Sequence, residues 1–535
     1  MTPSARPVAG AFAVAALFLL VYALLGTRQY TAVDGALRCL DVYRRPELSF
    51  SGNNHLLYPA DVLAWNRLLG LVVGRAADPF AFLRRTQLMN ATAAAAVLAL
   101  LYWIVRTTTG SAGIALGATA GLGLARAFLL HATNSAEPMV GVWWAVAAVA
   151  AGLLARRHRS TWAAAAAGVA LALALASYAS MLLAAPAVLV LVGRGEGTRG
   201  RLAALVGSAA AVTAAVFGVA YAHAGATGPL EMIRRFLALP GASVWAGVSP
   251  ARAARIPLGF VQSVLPVLPP GYAGVRSLAH AAPLRIAWLL VASVGIAALV
   301  GALVRGAWLA RPRIESGVRA TSTAALAGLA GALIAPLAWD PLYPKLWLLP
   351  TAFAFLAGGL LATAAGGRAR RAVMGAALVL IAVEAAVNLA WALPAHRRES
   401  PYLEPARAVA RAVTPEDLVV LDWDPVSEMY AGLWGADASL LTFPTEAVLR
   451  GSAAVIALDS AVAATRRRGG AVYFLGVLDE TPASWDAFLG ERTHLPYASV
   501  SRYRDSAAVS LQLHAGAGPA LTLRRLATPG PGRAQ

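Results

Sequence analysis

Cysteine is all but absent. Cys39 is the single one in 535 residues, which excludes an internal disulfide and any multi-cysteine metal centre. Lysine is as scarce: of 45 basic residues, Lys345 alone is not arginine. Charged side chains supply 13% of the chain, roughly half the share of a soluble domain, and hydrophobic ones 59%, which excludes an ordinary soluble fold for most of the sequence. No glycine-rich phosphate loop follows a strand-like segment, so no nucleotide site is expected. No HExxH-type metal spacing and no internal repeat is present. An Ala/Gly/Arg-rich composition points to a GC-rich genome, which suppresses lysine codons. The scarcity of lysine therefore needs no function; the position of the one lysine is the better question.

What the chain has instead is apolar runs, with a mean hydropathy of +0.63. Runs of the roughly 20 residues needed to cross a bilayer recur near 8–26, 86–106, 111–130, 137–155, 161–177, 180–193, 202–222, 284–304, 322–339, 346–366 and 372–393. The expectation is an α-helical polytopic membrane protein with about eleven transmembrane helices. The first run resembles a signal peptide but lacks a clean cleavage site. Arginine-rich short loops at 156–159, 194–201, 305–319 and 368–371 fall on one side if the N-terminus is cytoplasmic. Segments of about 27–85 and 223–283, and everything after 394, then lie outside the cytoplasm, in an inner or plasma membrane.

From residue 394 onward fourteen arginines face fifteen acidic residues, so the net charge of +19 resides in the membrane part. That argues against nucleic-acid partners and for contact with inner-leaflet phospholipid and with anionic ligands at the outer face. After 394 strand-like segments at 417–422, 454–458 and 471–475 alternate with helical ones. This predicts a small extracytoplasmic α/β domain over 394–525 with a largely parallel sheet, then a frayed tail at 526–535. Residues 1–393 form the membrane domain.

Ionisable residues gather at the expected outer boundary, where a charge needs a reason. After the first span come Asp34, Arg38 and Asp41. Asp34 either caps the following helix or acts as a general base; Asp41 is a second acid or a partner for Arg38 or Arg45. His55 precedes an amphipathic stretch with the character of an interfacial helix to about residue 74, and is either a hydrogen-bonded loop histidine or one that exchanges a proton, binds phosphate or ligates a metal. His131, Asn134 and Glu137-Pro138 form a third group. Here Glu137 is either a helix-start carboxylate or a second acid that, with His131, orders an acceptor or a metal ion. The fourth, Ala338 to Trp347, reads AWDPLYPKLW: Asp340-Pro341 and Tyr343-Pro344 predict a rigid turn. Lys345 then opens the next span, where its cation opposes the helix dipole unless an anion sits beside it. The 223–283 segment adds His223, Glu231, Arg234, Arg235, Arg252 and Arg255, either a solvated loop or a lid pairing with phosphate.

The acid after span one (Asp34), the large first loop with its amphipathic helix, the Glu137-Pro138 start of a later span, the late turn from Asp340 to Lys345 and the appended α/β domain together resemble polytopic glycosyltransferases of the GT-C type. These include protein O-mannosyltransferases, the aminoarabinose transferase of lipid A and bacterial relatives. The resemblance implies a sugar donor on a polyprenyl phosphate and a lipid, glycan or protein acceptor. It implies Asp34 as base and Lys345 as phosphate ligand, with Arg38, His55, Tyr343, Asp340, His131 and Asn134 assisting. Many relatives carry Asp-Glu where this chain has Asp34-Gly35, which leaves Asp41 or Glu137 as the second acid and a divalent metal as an open option. Inversion at the anomeric carbon would set Asp34 and Lys345 on opposite sides of the sugar. The alternative reading is a transporter or flippase of a lipid-linked sugar, or a non-catalytic envelope assembly protein. Against transport stand the absence of duplication and the placement of charge at one surface, Glu384 in the last span excepted.

Overall fold

The computed structural model describes residues 5–28, 33–44, 55–223, 228, 248–266, 316–364, 367–422, 424–435, 438–485, 495–514 and 521–527, with single residues between 290 and 305. The chain divides into two units, Met1–Thr27 with Glu47–Ala76 and Leu83–Arg397, and Arg28–Pro46 with Ala77–Phe82 and Arg398–Gln535.

The first unit is helical: α1 (Ala5–Leu24), α3 (Tyr58–Val73), α4 (Pro79–Thr109, its start in the second unit), α5 (Ala112–Leu124), α6 (Arg126–Ala132), α7 (Pro138–His158), α8 (Thr161–Ser177), α9 (Ala185–Val192), α10 (Thr198–His223), α11 (Ile256–Val264), α12 (Ser316–Ala332), α13 (Leu348–Ala362) and α14 (Gly367–Arg397); α2 (Val33–Arg44) belongs to the second. Seven helices among the described residues are long and apolar enough to cross a membrane, eight if α5 and α6 count as one span bent by 68°. On that ground the chain is a multi-pass membrane protein. Most of the expected span at 284–304 lies outside the described residues.

Helix ends follow local chemistry. Ser111 and Ser160 accept from the backbone N–H three residues on, at the starts of α5 and α8. Pro59 and Pro138 sit in first turns where a missing N–H costs nothing. α3 runs from Tyr58 to Val73 with Leu68, Leu71, Val72 and Val73 exposed and Tyr58, Val62 and Leu63 buried, the two-faced pattern expected of an interfacial helix. Gly168 lets α8 and α10 touch: a Cβ there would sit 2.2 Å from the Leu205 carbonyl oxygen. The bend at Ala125 frees backbone groups inside the membrane part, and Asn388 Nδ2 satisfies the Leu124 carbonyl at 2.6 Å.

In the second unit, α15 (Leu403–Ala412), β1 (Leu418–Leu421), α16 (Pro425–Leu433), β2 (Ser439–Thr442), α17 (Phe443–Arg450), α18 (Ala453–Arg467), β3 (Val472–Leu475), β4 (Ala507–Leu513) and β5 (Leu521–Leu526) build a five-stranded sheet of order β2-β1-β3-β5-β4. β2, β1 and β3 are parallel, while β5 and β4 are antiparallel, so the sheet is mixed rather than largely parallel. β1 and β3 are buried at every position. Leu418, Val420, Val472 and Phe474 face α17 and α18, and Val419, Leu421, Tyr473 and Leu475 face α15 and α16. Asp424 caps α16 by accepting from Val426 N (2.8 Å) and Ser427 N (2.9 Å); burial outweighs these bonds and pushes its carboxyl up.

The strand expected at 454–458 is helical, part of α18. Ala454, Leu458, Val462 and Thr465 are buried at helical spacing, and Ile456 is 69% exposed, so the run has one buried stripe instead of two alternating faces. The second unit also takes in residues before 394: Arg44 of α2 donates to the Ala431 carbonyl at 2.8 Å, and Tyr43 packs edge-on against Phe82. The α/β unit is therefore not confined to 394–525.

Candidate functional site

The site is assembled where apolar helices of the first unit break. Between α6 and α7, residues 133–137 form a turn buried against Asn90 of α4. Asn90 Nδ2 donates to the carbonyls of Asn134 and Ala136, both at 2.7 Å, and Asn134 Oδ1 accepts from Ser135 N at 2.8 Å. This turn delivers Glu137, 1% exposed, to the start of α7. Glu137 makes no capping hydrogen bond, because its carboxylate is engaged elsewhere: Oε2 lies 3.0 Å from Lys345 Nζ, and Oε1 has no partner among the described residues.

Lys345 lies in a 3₁₀ turn, Pro344–Trp347, leading into α13. Asp340 Oδ1 accepts from Leu342 N at 2.9 Å, and Tyr343 N donates to the Asp340 carbonyl at 3.2 Å, which gives the Asp-Pro-x-Tyr-Pro segment its turn. Trp347 Nε1 donates to the Pro341 carbonyl at 2.6 Å. Gly259 of α11 closes on the same segment so tightly that a Cβ would lie 1.9 Å from the Pro341 oxygen. Arg252 supports the approach, donating to the Ala338 carbonyl at 2.8 Å. The conflict between the Lys345 cation and the helix dipole is thus met by the protein's own Glu137. A ligand is not needed to explain the lysine's position.

Two rings complete the arrangement. α8 breaks at Tyr178, whose extended backbone carries the ring to 5.5 Å from Lys345 Nζ. His55 stacks on Tyr178, its ring centroid 4.7 Å from that of Tyr178 and inclined by 23°. Its position is fixed because Leu57 N donates to the Ala176 carbonyl (3.0 Å) and Tyr58 Oη to the Ser135 carbonyl (2.9 Å). The start of α3 thereby ties both helix breaks together. His131 is buried near enough to Glu137 and Lys345 to feel both charges. Its Nδ1 lies 2.7 Å from the Ala127 carbonyl, an acceptor only, so Nδ1 carries the proton and Nε2 the lone pair.

The structure therefore brings Glu137, Lys345, His131 and, through Tyr178, His55 into one cluster. Asn134, Asp340 and Tyr343 shape the turns that present it. Asp34, Arg38 and Asp41 are carried by α2 of the second unit. Asp34 falls inside the first turn of α2, not ahead of it as a cap; its side chain lies outside what is described. Arg38 is half-buried and Asp41 exposed. The side chains of His223, Glu231, Arg234 and Arg235 lie outside the described residues. Tyr178 and Asn90 are missing from the sequence expectation. An aromatic beside Ser177 in an Ala/Leu run was the available signal for Tyr178. Among the described residues no three His, Cys, Asp or Glu side chains are grouped to hold a metal ion.

No protein-family model and no curated protein matches the chain. Solved structures do. The S. cerevisiae protein O-mannosyltransferase Pmt1-Pmt2 complex bound to the sugar donor matches with 14% identity and a TM-score of 0.33, over 41% of this chain; the chain spans about a third of that one, 34%. ArnT from Cupriavidus metallidurans bound to undecaprenyl phosphate matches with 13% identity and a TM-score of 0.43, over 98% of both chains. The same protein in the apo state gives 14%, 0.41, and coverage of 96% and 97%.

Proposed function

We propose that this chain is a membrane glycosyltransferase that moves a sugar from a polyprenyl-phosphate donor to a hydroxyl-bearing acceptor at the extracytoplasmic face. The observation that carries the reading is the Glu137–Lys345 pair, almost fully buried, held at helix breaks, and left with one carboxylate oxygen unpartnered among the described residues. A closed structural ion pair would use both oxygens; the spare acceptor here suits a sugar hydroxyl.

In the reaction the anomeric C–O bond to phosphate breaks, and the phosphate leaves with the electron pair. A new bond forms between the anomeric carbon and the acceptor oxygen, whose proton goes to a carboxylate. Lys345 stabilises the charge that develops on the phosphate oxygen. As its ammonium turns to the phosphate, it relaxes its hold on Glu137, which then binds sugar more strongly in the transition state than before it. Tyr178 and His55 hold Lys345 on course, and His131 Nε2 accepts from a sugar hydroxyl. Asp34 takes the acceptor's proton, with Arg38 and Asp41 of the same helix setting its charge environment.

Membranes containing the chain are expected to transfer radiolabelled sugar from polyprenyl-phosphate donors to endogenous acceptors, and Asp34→Asn to abolish transfer while the protein still accumulates. Unchanged transfer in that variant would remove Asp34 from the mechanism.

A further inference from the structure

Glu384 takes no part in this site, yet it is fully buried in α14 and neither carboxyl oxygen has a hydrogen-bond partner among the described residues. Asn388, one turn further and also fully buried, donates through Nδ2 to the carbonyls of Leu124 (2.6 Å) and Val264 (2.8 Å), the last residues of α5 and α11. Its Oδ1 has no partner among the described residues. Three buried oxygens thus lie on one helix face, at the i, i+4 spacing that brings side chains together.

Among the described residues no ion pair reaches Glu384. α5, α11 and α13 carry no ionisable side chain, and α6 contributes Arg126 and His131, which donate to the carbonyls of Gln262 (3.4 Å) and Ala127. Leu380 and Val383, the neighbours of Glu384 on α14, pack with Phe355 against Val261, Val264 and Leu265. A bare carboxylate in such surroundings is costly, and a carboxylic acid is not. The acid also supplies the one thing Asn388 Oδ1 lacks, a donor.

We propose that Glu384 and Asn388 form a proton-binding site inside the membrane part: Glu384 is kept as the neutral acid, and its O–H is donated to Asn388 Oδ1. That bond fixes the Asn388 amide, whose Nδ2 latches α14 to the ends of α5 and α11. α11 is the helix whose Gly259 closes on the Lys345 turn and whose Ser263 hydroxyl lies 3.1 Å from that of Thr351, so the latch stiffens the wall behind the candidate site. The inference does not depend on the reaction proposed above.

The test is thermal unfolding of the full chain in detergent for wild type, Glu384→Gln and Glu384→Ala. Gln is neutral and carries a donor for Oδ1, so Glu384→Gln is expected to melt within ~2 °C of wild type and Glu384→Ala at least ~5 °C lower. If Glu384→Gln falls as far as Glu384→Ala, a negative charge is required and the proton site is wrong. If neither variant shifts, the latch is wrong. A second readout is labelling by an apolar carbodiimide at neutral pH, which attacks the protonated carboxyl. Mass spectrometry should place the label on Glu384 equally in sodium and choline chloride, whereas protection by sodium would assign the site to a bound cation and overturn the proposal.

Discussion

Replacing Lys345 by Met leaves Glu137 as an uncompensated charge, 1% exposed, at the start of α7. Removing one partner of a buried pair costs about 3–5 kcal/mol, because the remaining ion keeps its desolvation penalty and loses its attraction. Glu137→Gln is milder. Lys345 then retains the Tyr178 ring at 5.5 Å, an interaction of about 1–2 kcal/mol for a desolvated ammonium, which leaves a net cost of about 1–4 kcal/mol. The double variant Glu137→Gln/Lys345→Met has no buried charge at the pair and is expected to lose only about 1–2 kcal/mol. It should therefore be more stable than Lys345→Met alone, although it carries one more substitution. Unfolding of the full chain in detergent, followed by tryptophan fluorescence, measures all three. Additivity of the single effects within ~0.5 kcal/mol would show that the two residues are not coupled and would refute the pair as the centre of the site.

Three further outcomes follow from the geometry. Burial pushes the Asp61 carboxyl, in the first turn of α3, from 3.8 up to about 7; the folded chain then holds a proton that the unfolded chain has released. Stability should fall as pH rises from about 4 to about 7 and level off above, and Asp61→Asn should lose that slope in a series of melting curves. Gly259→Ala forces a Cβ against the Pro341 carbonyl, so α11 must move off the Lys345 turn; a loss of about 1–3 kcal/mol and of sugar transfer is expected, measured by unfolding and by radiolabel incorporation. Tyr178→Leu removes the ring under Lys345 and the stack on His55, and should raise the donor KM more than Tyr178→Phe, which keeps both.

The membrane helices were legible because roughly 20-residue apolar runs have few alternatives. The expected runs at 137–155 and 322–339, for example, appear as α7 and as a helix from Ser316 to Ala338, whereas 161–177 appears as the shorter apolar helix α8. The break within 111–130 was not legible. It depends on Asn388 and Gln262, more than 130 residues away, supplying partners for the freed carbonyl and for buried Arg126. The strand reading of 454–458 failed because Val455-Ile456 in a short run looks the same in either period until the next two turns are counted. Glu137 illustrates the limit at the site. A carboxylate before a proline reads as a helix start in sequence, and the lysine that engages it lies 208 positions on, a pairing that only tertiary structure can show. His55 and His131 were legible as candidates by residue type. Tyr178, which joins His55 to Lys345, was hidden by its ordinary role as a core aromatic.

The central claim is that the buried pair serves breakage of a sugar–phosphate bond. It is tested most directly by giving purified chain in proteoliposomes a polyprenyl-phosphate-linked sugar with an acceptor hydroxyl and measuring released polyprenyl phosphate. The account predicts release in step with glycosylated acceptor, and a loss of at least ~100-fold in Lys345→Met, about what removing one preorganised charge from a transition state costs. Movement of intact donor between leaflets, with no polyprenyl phosphate formed, would contradict it and make the chain a transporter.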